Sequence, residues 1–232
     1  NVGLILAGED GDYATPRQPA RLVEGWSVAK IKRAGAAAVK CFFYYHPDEP
    51  ELAQAQEEFV AGLVGECRGY DLPLFAEPLS YEVVPADRPR LVRETARRIA
   101  RLGVDVLKLE FPVDVTHEPD QDQWLAACQM VSAACDGIPW AVLSAGVDFK
   151  TFADQVRIAC QAGASGYLAG RAIWQEAAQL SGDKQQTFLE TMAIPRLQAL
   201  AQIASDLARP WTDFYPYPDE LPERAWYQNY GK

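Results

Sequence analysis

Short apolar runs alternate with longer amphipathic stretches along this chain, at a period of roughly 30 to 35 residues. The strand candidates are 2–7, 39–45, 73–79, 104–111, 139–145 and 165–169. Helical stretches lie near 22–34, 51–69, 88–102, 120–135, 149–162 and 174–180, and a final helix runs over about 184–208. Parallel strands buried on both faces and joined by crossover helices produce this pattern. The junctions repeat too. Ala34-Gly35, Leu102-Gly103 and Ala162-Gly163 each precede a strand, and a glycine just past a helix closes it in the left-handed conformation.

That rhythm alone fits a barrel or an open doubly wound sheet. No GxGxxG follows the first strand and there is no Walker lysine loop, which weakens the nucleotide-binding versions. About six βα units are legible where a closed barrel has eight, and the chain opens at Asn1 in mid-strand. The expected fold is therefore α/β, a (β/α)8 TIM barrel of which this chain covers about strands 3–8, with the first two βα units missing. Residues 1–208 would form the barrel domain and 209–232 a C-terminal tail.

Composition narrows the function. A net charge of -10 disfavours a nucleic-acid surface. An anionic small molecule is still allowed, since a pocket needs only local cations. No apolar run reaches the roughly 18 residues of a membrane span, so no membrane partner is expected. The start lacks a basic segment and runs at once into Glu9, Asp10 and Asp12, so no secretory leader is expected either. The five cysteines show no CxxC spacing and read as buried, reduced thiols of a cytoplasmic protein.

Charged residues inside apolar strands are the main functional signal. In Val104-Asp105-Val106-Leu107-Lys108-Leu109-Glu110-Phe111, a period of two places Val106, Lys108 and Glu110 on one face and Leu107, Leu109 and Phe111 on the other. Residues near the carboxyl end of a barrel strand point to the mouth of the active site, so Lys108 and Glu110 are expected side by side at its floor. Lys40 lies in the apolar strand 39–45 and Glu77 in 73–79. A structural ion pair or a snorkelling lysine would explain Lys108 alone. Recurrence in three neighbouring strands favours a catalytic cluster, because burying that many charges for stability alone is unfavourable. Such a cluster suits amine catalysis: a lysine crowded by a second cation more readily offers a free amine to a carbonyl, and a neighbouring carboxylate moves the proton.

The last two strands end in small residues, Ser144-Ala145-Gly146 and Gly170-Arg171. Small residues let backbone N–H groups approach an anion, and Arg171 adds a bidentate cation. The first segment also fits a helix cap, and Arg171 fits surface charge; together they favour an anion site, which barrels often carry after their last strands.

With these residues in place, the chain resembles the class I tagatose-1,6-bisphosphate aldolase family and the related sulfofructose-phosphate aldolases. The resemblance rests on Val-Lys-Cys-Phe-Phe-Tyr-Tyr (39–45), Phe-Ala-Glu-Pro-Leu (75–79), Leu-Lys-Leu-Glu-Phe-Pro (107–112), Pro-Trp-Ala-Val-Leu-Ser-Ala-Gly-Val (139–147) and Ala-Ser-Gly-Tyr-Leu-Ala-Gly-Arg-Ala-Ile-Trp (164–174). It implies Lys108 as the Schiff-base lysine, Glu77 as the proton-transferring glutamate and Lys40 as a further active-site lysine. It also implies that Ser144, Gly146, Gly170 and Arg171 hold the anionic groups of a sugar phosphate, with no metal and no cofactor. The family's active-site aspartate on the first barrel strand has no counterpart in this sequence. A zinc-dependent aldolase is disfavoured because His46 and His117 are the only histidines. His46 follows the Lys40 strand and fits either a substrate contact or a solvated loop. A sulfonated sugar phosphate and a non-catalytic phosphosugar-binding barrel are the alternatives.

The tail holds Trp211, Phe214, Tyr215, Tyr217, Trp226, Tyr227 and Tyr230 among prolines, without helical or strand period. It would cover either its own barrel or a neighbouring subunit of a homo-oligomer.

Overall fold

Along 39–41, 74–76 and 106–109 burial alternates from one residue to the next, and this fixes where the core lies. The computed structural model describes residues 2–11, 15–216 and 224–228; Asn1, Asp12, Tyr217, Tyr230 and the Tyr227 side chain lie outside them. Its strands are β1 (Ile5–Ala7), β2 (Ala38–Tyr44), β3 (Leu74–Leu79), β4 (Val106–Leu109), β5 (Trp140–Leu143) and β6 (Gly166–Leu168). Between and after them run helices α1 (Val28–Arg33), α2 (Pro50–Gly69), α3 (Arg88–Ala100), α4 (Gln121–Ala134), α5 (Phe149–Gln161), α6 (Arg171–Trp174), α7 (Gly182–Phe188) and α8 (Ile194–Leu207).

The strands form one sheet in sequence order, and every pairing is parallel. Ile5 of β1 and Leu168 of β6 line the same cavity of about 640 Å³. A flat sheet with strands about 4.8 Å apart would hold them roughly 24 Å from each other. The sheet is therefore curled into a partial barrel. Among the described residues no pairing joins β6 to β1.

Val39, Cys41, Leu74, Leu107 and Val142 point to the convex side and are fully buried beneath the helices. Each large aliphatic side chain buried there contributes about 1.5–3 kcal/mol. The helices supply matching stripes, such as Ala53, Val60, Leu63 and Cys67 on α2 and Phe152, Val156 and Ala159 on α5. On the concave side Phe75, Val106 and Leu168 are only partly covered. The core thus lies between sheet and helices, while the concave face is open. The cysteines are free and buried within it.

Gly35, Gly103 and Gly163 adopt positive φ after their helices, as the sequence indicates. Other elements differ from expectation. The helix expected over 22–34 begins only at Val28, because Leu22 pairs antiparallel with Glu9, Gly25 turns at φ +71 and the Ser27 hydroxyl caps α1. The stretch 184–208 splits into α7, a π-helical turn over Leu189–Ala193, and α8. Pro195 has no N–H to donate to Thr191, so the turn before it widens. The helix expected over 174–180 is the end of α6 followed by a 3-10 turn over Gln175–Gln179.

The first part of the tail, 209–216, folds back onto its own sheet. Arg209 N–H donates to Ala164 O at 3.0 Å, and Tyr215 Oη donates to Asp105 O at 2.9 Å. Trp211 and Tyr215 line the same concave cavity as Ile5. Among the described residues, no helix is long and apolar enough to cross a membrane.

Candidate active site

Register places the charged residues. Phe42 is level with Glu77, Lys40 with Phe75, and Phe75 with Val106. Two residues further, Glu77 and Lys108 lie side by side on the concave face, and Lys40 sits one residue pair lower on β2, diagonal to Glu77. The contacts follow that geometry. Lys108 Nζ is 2.7 Å from Glu77 Oε1, and Lys40 Nζ is 3.3 Å from Glu77 Oε2. One carboxylate thus holds two ammonium groups, one on each oxygen. Both lysine side chains keep some solvent exposure, at 17% and 18%.

The cluster has a fourth member that the sequence reasoning missed. Glu9 Oε1 lies 2.5 Å from Lys40 Nζ, and only 3% of the Glu9 side chain is exposed. The signal was present: Ile5 lines the concave cavity, so a period of two carries Ala7 and then Glu9 to the same face. Glu9, Lys40, Glu77 and Lys108 form an alternating chain of charges that sums to zero.

Glu110 does not join Lys108 at the floor of the site. Ser80 donates to its Oε2 through N (2.7 Å) and Oγ (2.6 Å), and Arg88 Nη2 holds Oε1 at 2.9 Å. Arg88 also donates to Phe111 O. Glu110 therefore ties the loop after β3 and the start of α3 to the end of β4. Cys41, next to Lys40, points to the convex side, and burial pushes its thiol well above the usual range; it is no nucleophile at neutral pH. His46 stands in the loop after β2, tilted against the Tyr81 ring, with Nδ1 accepting from Asp48 N–H. Burial first, and then the hydrogen bond it donates to Glu49, raise the Tyr81 hydroxyl above its ordinary value.

The second group of expected residues gathers after β5 and β6. Ala145 and Gly146 both adopt left-handed φ, +46 and +82, a conformation unfavourable for alanine and free for glycine. A β-carbon on Gly146 would lie 3.5 Å from Arg171 Cζ, so the guanidinium rests over the Gly146 backbone. Ser144 is buried beside that turn and Gly170 precedes α6. Asp148 caps α5 through Thr151, whose hydrogen bonds hold the Asp148 carboxyl below its ordinary value. Among the described residues no hydrogen bond joins this group to the lysine cluster, and no acidic side chain pairs with Arg171.

A curled parallel sheet with lysines and carboxylates at its carboxyl-end mouth is the layout of a barrel lyase that works on carbonyl compounds. Comparison with known proteins supports that class: the description DeoC/LacD family aldolase matches residues 1–176. Tagatose 1,6-diphosphate aldolase 1 of Streptococcus pyogenes is 33% identical over 242 residues, covering 91% of this chain and 74% of that protein. The tagatose 1,6-diphosphate aldolase of Listeria monocytogenes is 31% identical, covering 92% and 71%. Among solved structures, an archaeal fructose 1,6-bisphosphate aldolase superposes with a TM-score of 0.67 at 22% identity, over 88% of this chain and 72% of that one; this likeness speaks to the fold. The protein is a carbon–carbon lyase, and it belongs to the DeoC/LacD aldolase family.

Proposed function

We propose that this protein is a class I aldolase that forms a Schiff base at Lys108. In this reading it cleaves a ketohexose bisphosphate, such as tagatose 1,6-bisphosphate, to dihydroxyacetone phosphate and glyceraldehyde 3-phosphate. The observation that carries the reading is the 2.7 Å contact between Lys108 Nζ and Glu77 Oε1 on the open face of the sheet. It puts the amine and a proton acceptor within transfer distance. The names of the 33% and 31% identical relatives support the choice of sugar. We also read the six strands as the third to eighth of an eight-stranded barrel, on the strength of the curl and of the anion-site motifs at the last two strands.

Each step can be written on these residues. Glu77 takes a proton from the Lys108 ammonium, and the free amine adds to the ketone carbon. The carbinolamine hydroxyl leaves as water with the proton that Glu77 returns, which gives the iminium. Glu77, again a carboxylate, accepts the proton of the hydroxyl carried by the far carbon of the bond to be broken, the carbon that becomes the aldehyde. The carbon–carbon bond cleaves, its electron pair passes to the iminium as an enamine, and the aldehyde departs. Protonation of the enamine carbon and addition of water release the ketone and restore the amine. Lys40 holds the other oxygen of Glu77, and Ser144, Gly146, Gly170 and Arg171 receive a phosphate.

The test is borohydride reduction of the full-length protein with dihydroxyacetone phosphate, followed by peptide mass spectrometry. A reduced adduct on Lys108, absent from Lys108→Arg, is expected. No adduct on folded protein, or an adduct confined to another lysine, overturns the reading.

A further inference from the structure

Glu9 is held more firmly than an incidental neighbour. Gly8 N–H donates to Lys40 O at 3.0 Å, Val23 N–H to Gly8 O at 3.1 Å, and Asp10 N–H to Arg21 O at 2.8 Å, so the backbone on both sides of Glu9 is anchored. Its Oε1 meets Lys40 Nζ at 2.5 Å, while its Oε2 is buried and has no hydrogen-bond partner among the described residues. A carboxylate with one oxygen shut away and unsatisfied is a poor device for stability, because burial of an unmet acceptor opposes folding. Retention of the charge calls for a use.

The next contact in the chain suggests one. Lys40 bridges Glu9 and Glu77, and Glu77 reaches Lys108. Without Glu9, two ammonium groups would face the single Glu77 carboxylate, and Lys40, now 3.3 Å from it, would be drawn closer and compete with Lys108 and substrate for its oxygens. We propose that Glu9 is a positioning residue that neutralises and orients Lys40, so that Lys40 does not close on Glu77 and the Glu77 carboxylate stays available to Lys108 and substrate. Glu9 acts through Lys40 and touches no reacting atom. This inference rests on the Schiff-base reading given above.

The experiment combines Glu9→Gln with Lys40→Met in a double-mutant cycle on the full-length protein, with kcat and KM for aldol cleavage measured in each variant. Glu9→Gln is expected to lower kcat by about tenfold or more, about 1.4 kcal/mol per factor of ten. KM should change much less, and borohydride should still trap dihydroxyacetone phosphate on Lys108. In the Lys40→Met background the same change should have no further effect on kcat, since the residue it acts through is gone. Glu9→Asp, which keeps the charge but draws it back from Lys40, should fall between wild type and Glu9→Gln, and it provides the measurement should the glutamine variant fail to fold. An unchanged kcat in Glu9→Gln, an equal loss in both backgrounds, or an aspartate variant as slow as the glutamine one overturns the proposal. Failure of the wild type to form the Lys108 adduct would instead overturn the reading beneath it.

Discussion

Replacing Glu77 by glutamine removes one negative charge and leaves the shape of the side chain almost unchanged. In the folded protein that charge lies 2.7 Å from the Lys108 ammonium and 3.3 Å from that of Lys40. At an effective dielectric of about 20, the two attractions amount to about 6 and about 5 kcal/mol gross. Most of this is offset, because the substitution relieves the desolvation of the carboxylate and both lysines keep a route to water. Loss of one partner from a buried ion pair nets about 3–5 kcal/mol, and the 17% and 18% exposure of the lysines places Glu77→Gln near the lower end. The cluster is left with one excess positive charge, so the variant should melt earlier but still fold. The catalytic effect is larger, since an amide cannot shuttle a proton: kcat should fall about 10²- to 10⁴-fold. The assay is steady-state cleavage at saturating substrate, with circular dichroism melting and borohydride trapping run on the same preparation. Retention of kcat within about threefold, less than about 0.7 kcal/mol, in a protein that still traps dihydroxyacetone phosphate would show that another group carries the proton.

Arg171→Ala should leave the melting temperature unchanged, because the guanidinium is exposed and has no acidic partner among the described residues. It should raise KM by about ten- to hundredfold, the value of one charge-assisted hydrogen bond to phosphate, with little change in kcat. Gly103→Ala places a β-carbon 2.5 Å from Arg68 Nη2 at φ +83; the left-handed strain of about 1–2 kcal/mol and the displaced arginine should lower the melting temperature without altering KM. Glu94 is held at about 2 chiefly by its hydrogen bond with Arg97. A depressed carboxyl stabilises the fold above its unfolded value of 4.5, and that contribution fades as pH falls through about 2. Glu94→Gln should therefore cost about 1 kcal/mol at neutral pH after solvent screening, and denaturant titrations should show the difference vanish toward pH 2. A difference that persists there would mean that the loss is one of packing rather than charge.

Much of this arrangement could be read before any fold was known. Period-two alternation in 104–111 assigns Leu107 and Leu109 to one face and Lys108 to the other whatever surrounds the strand, because the pleat is local. Lys40 and Glu77 stood out as charges inside apolar strands, and the three glycines past the helices marked where strands begin, because the left-handed conformation is a property of a single residue. The order of strands and helices followed from these signals. Their boundaries followed less well where other contacts intervene: α1 lacks the expected 22–27, where Leu22 pairs with Glu9, and the last helix is interrupted by a π turn just before Pro195.

Which charges meet was decided by the tertiary structure alone. Lys108 and Glu110 share a strand face, yet Glu110 is claimed by Ser80 and Arg88, residues 30 and 22 positions away. Glu9 reads as one more acidic residue near the start of the sequence until the sheet brings it against Lys40, 31 positions later, since 40 minus 9 is 31. Side-chain direction is set within two or three residues of backbone, so a sequence determines it. A carboxylate's partner is set by register, by curl and by competition among every cation within reach, and those quantities exist only once the strands have come together.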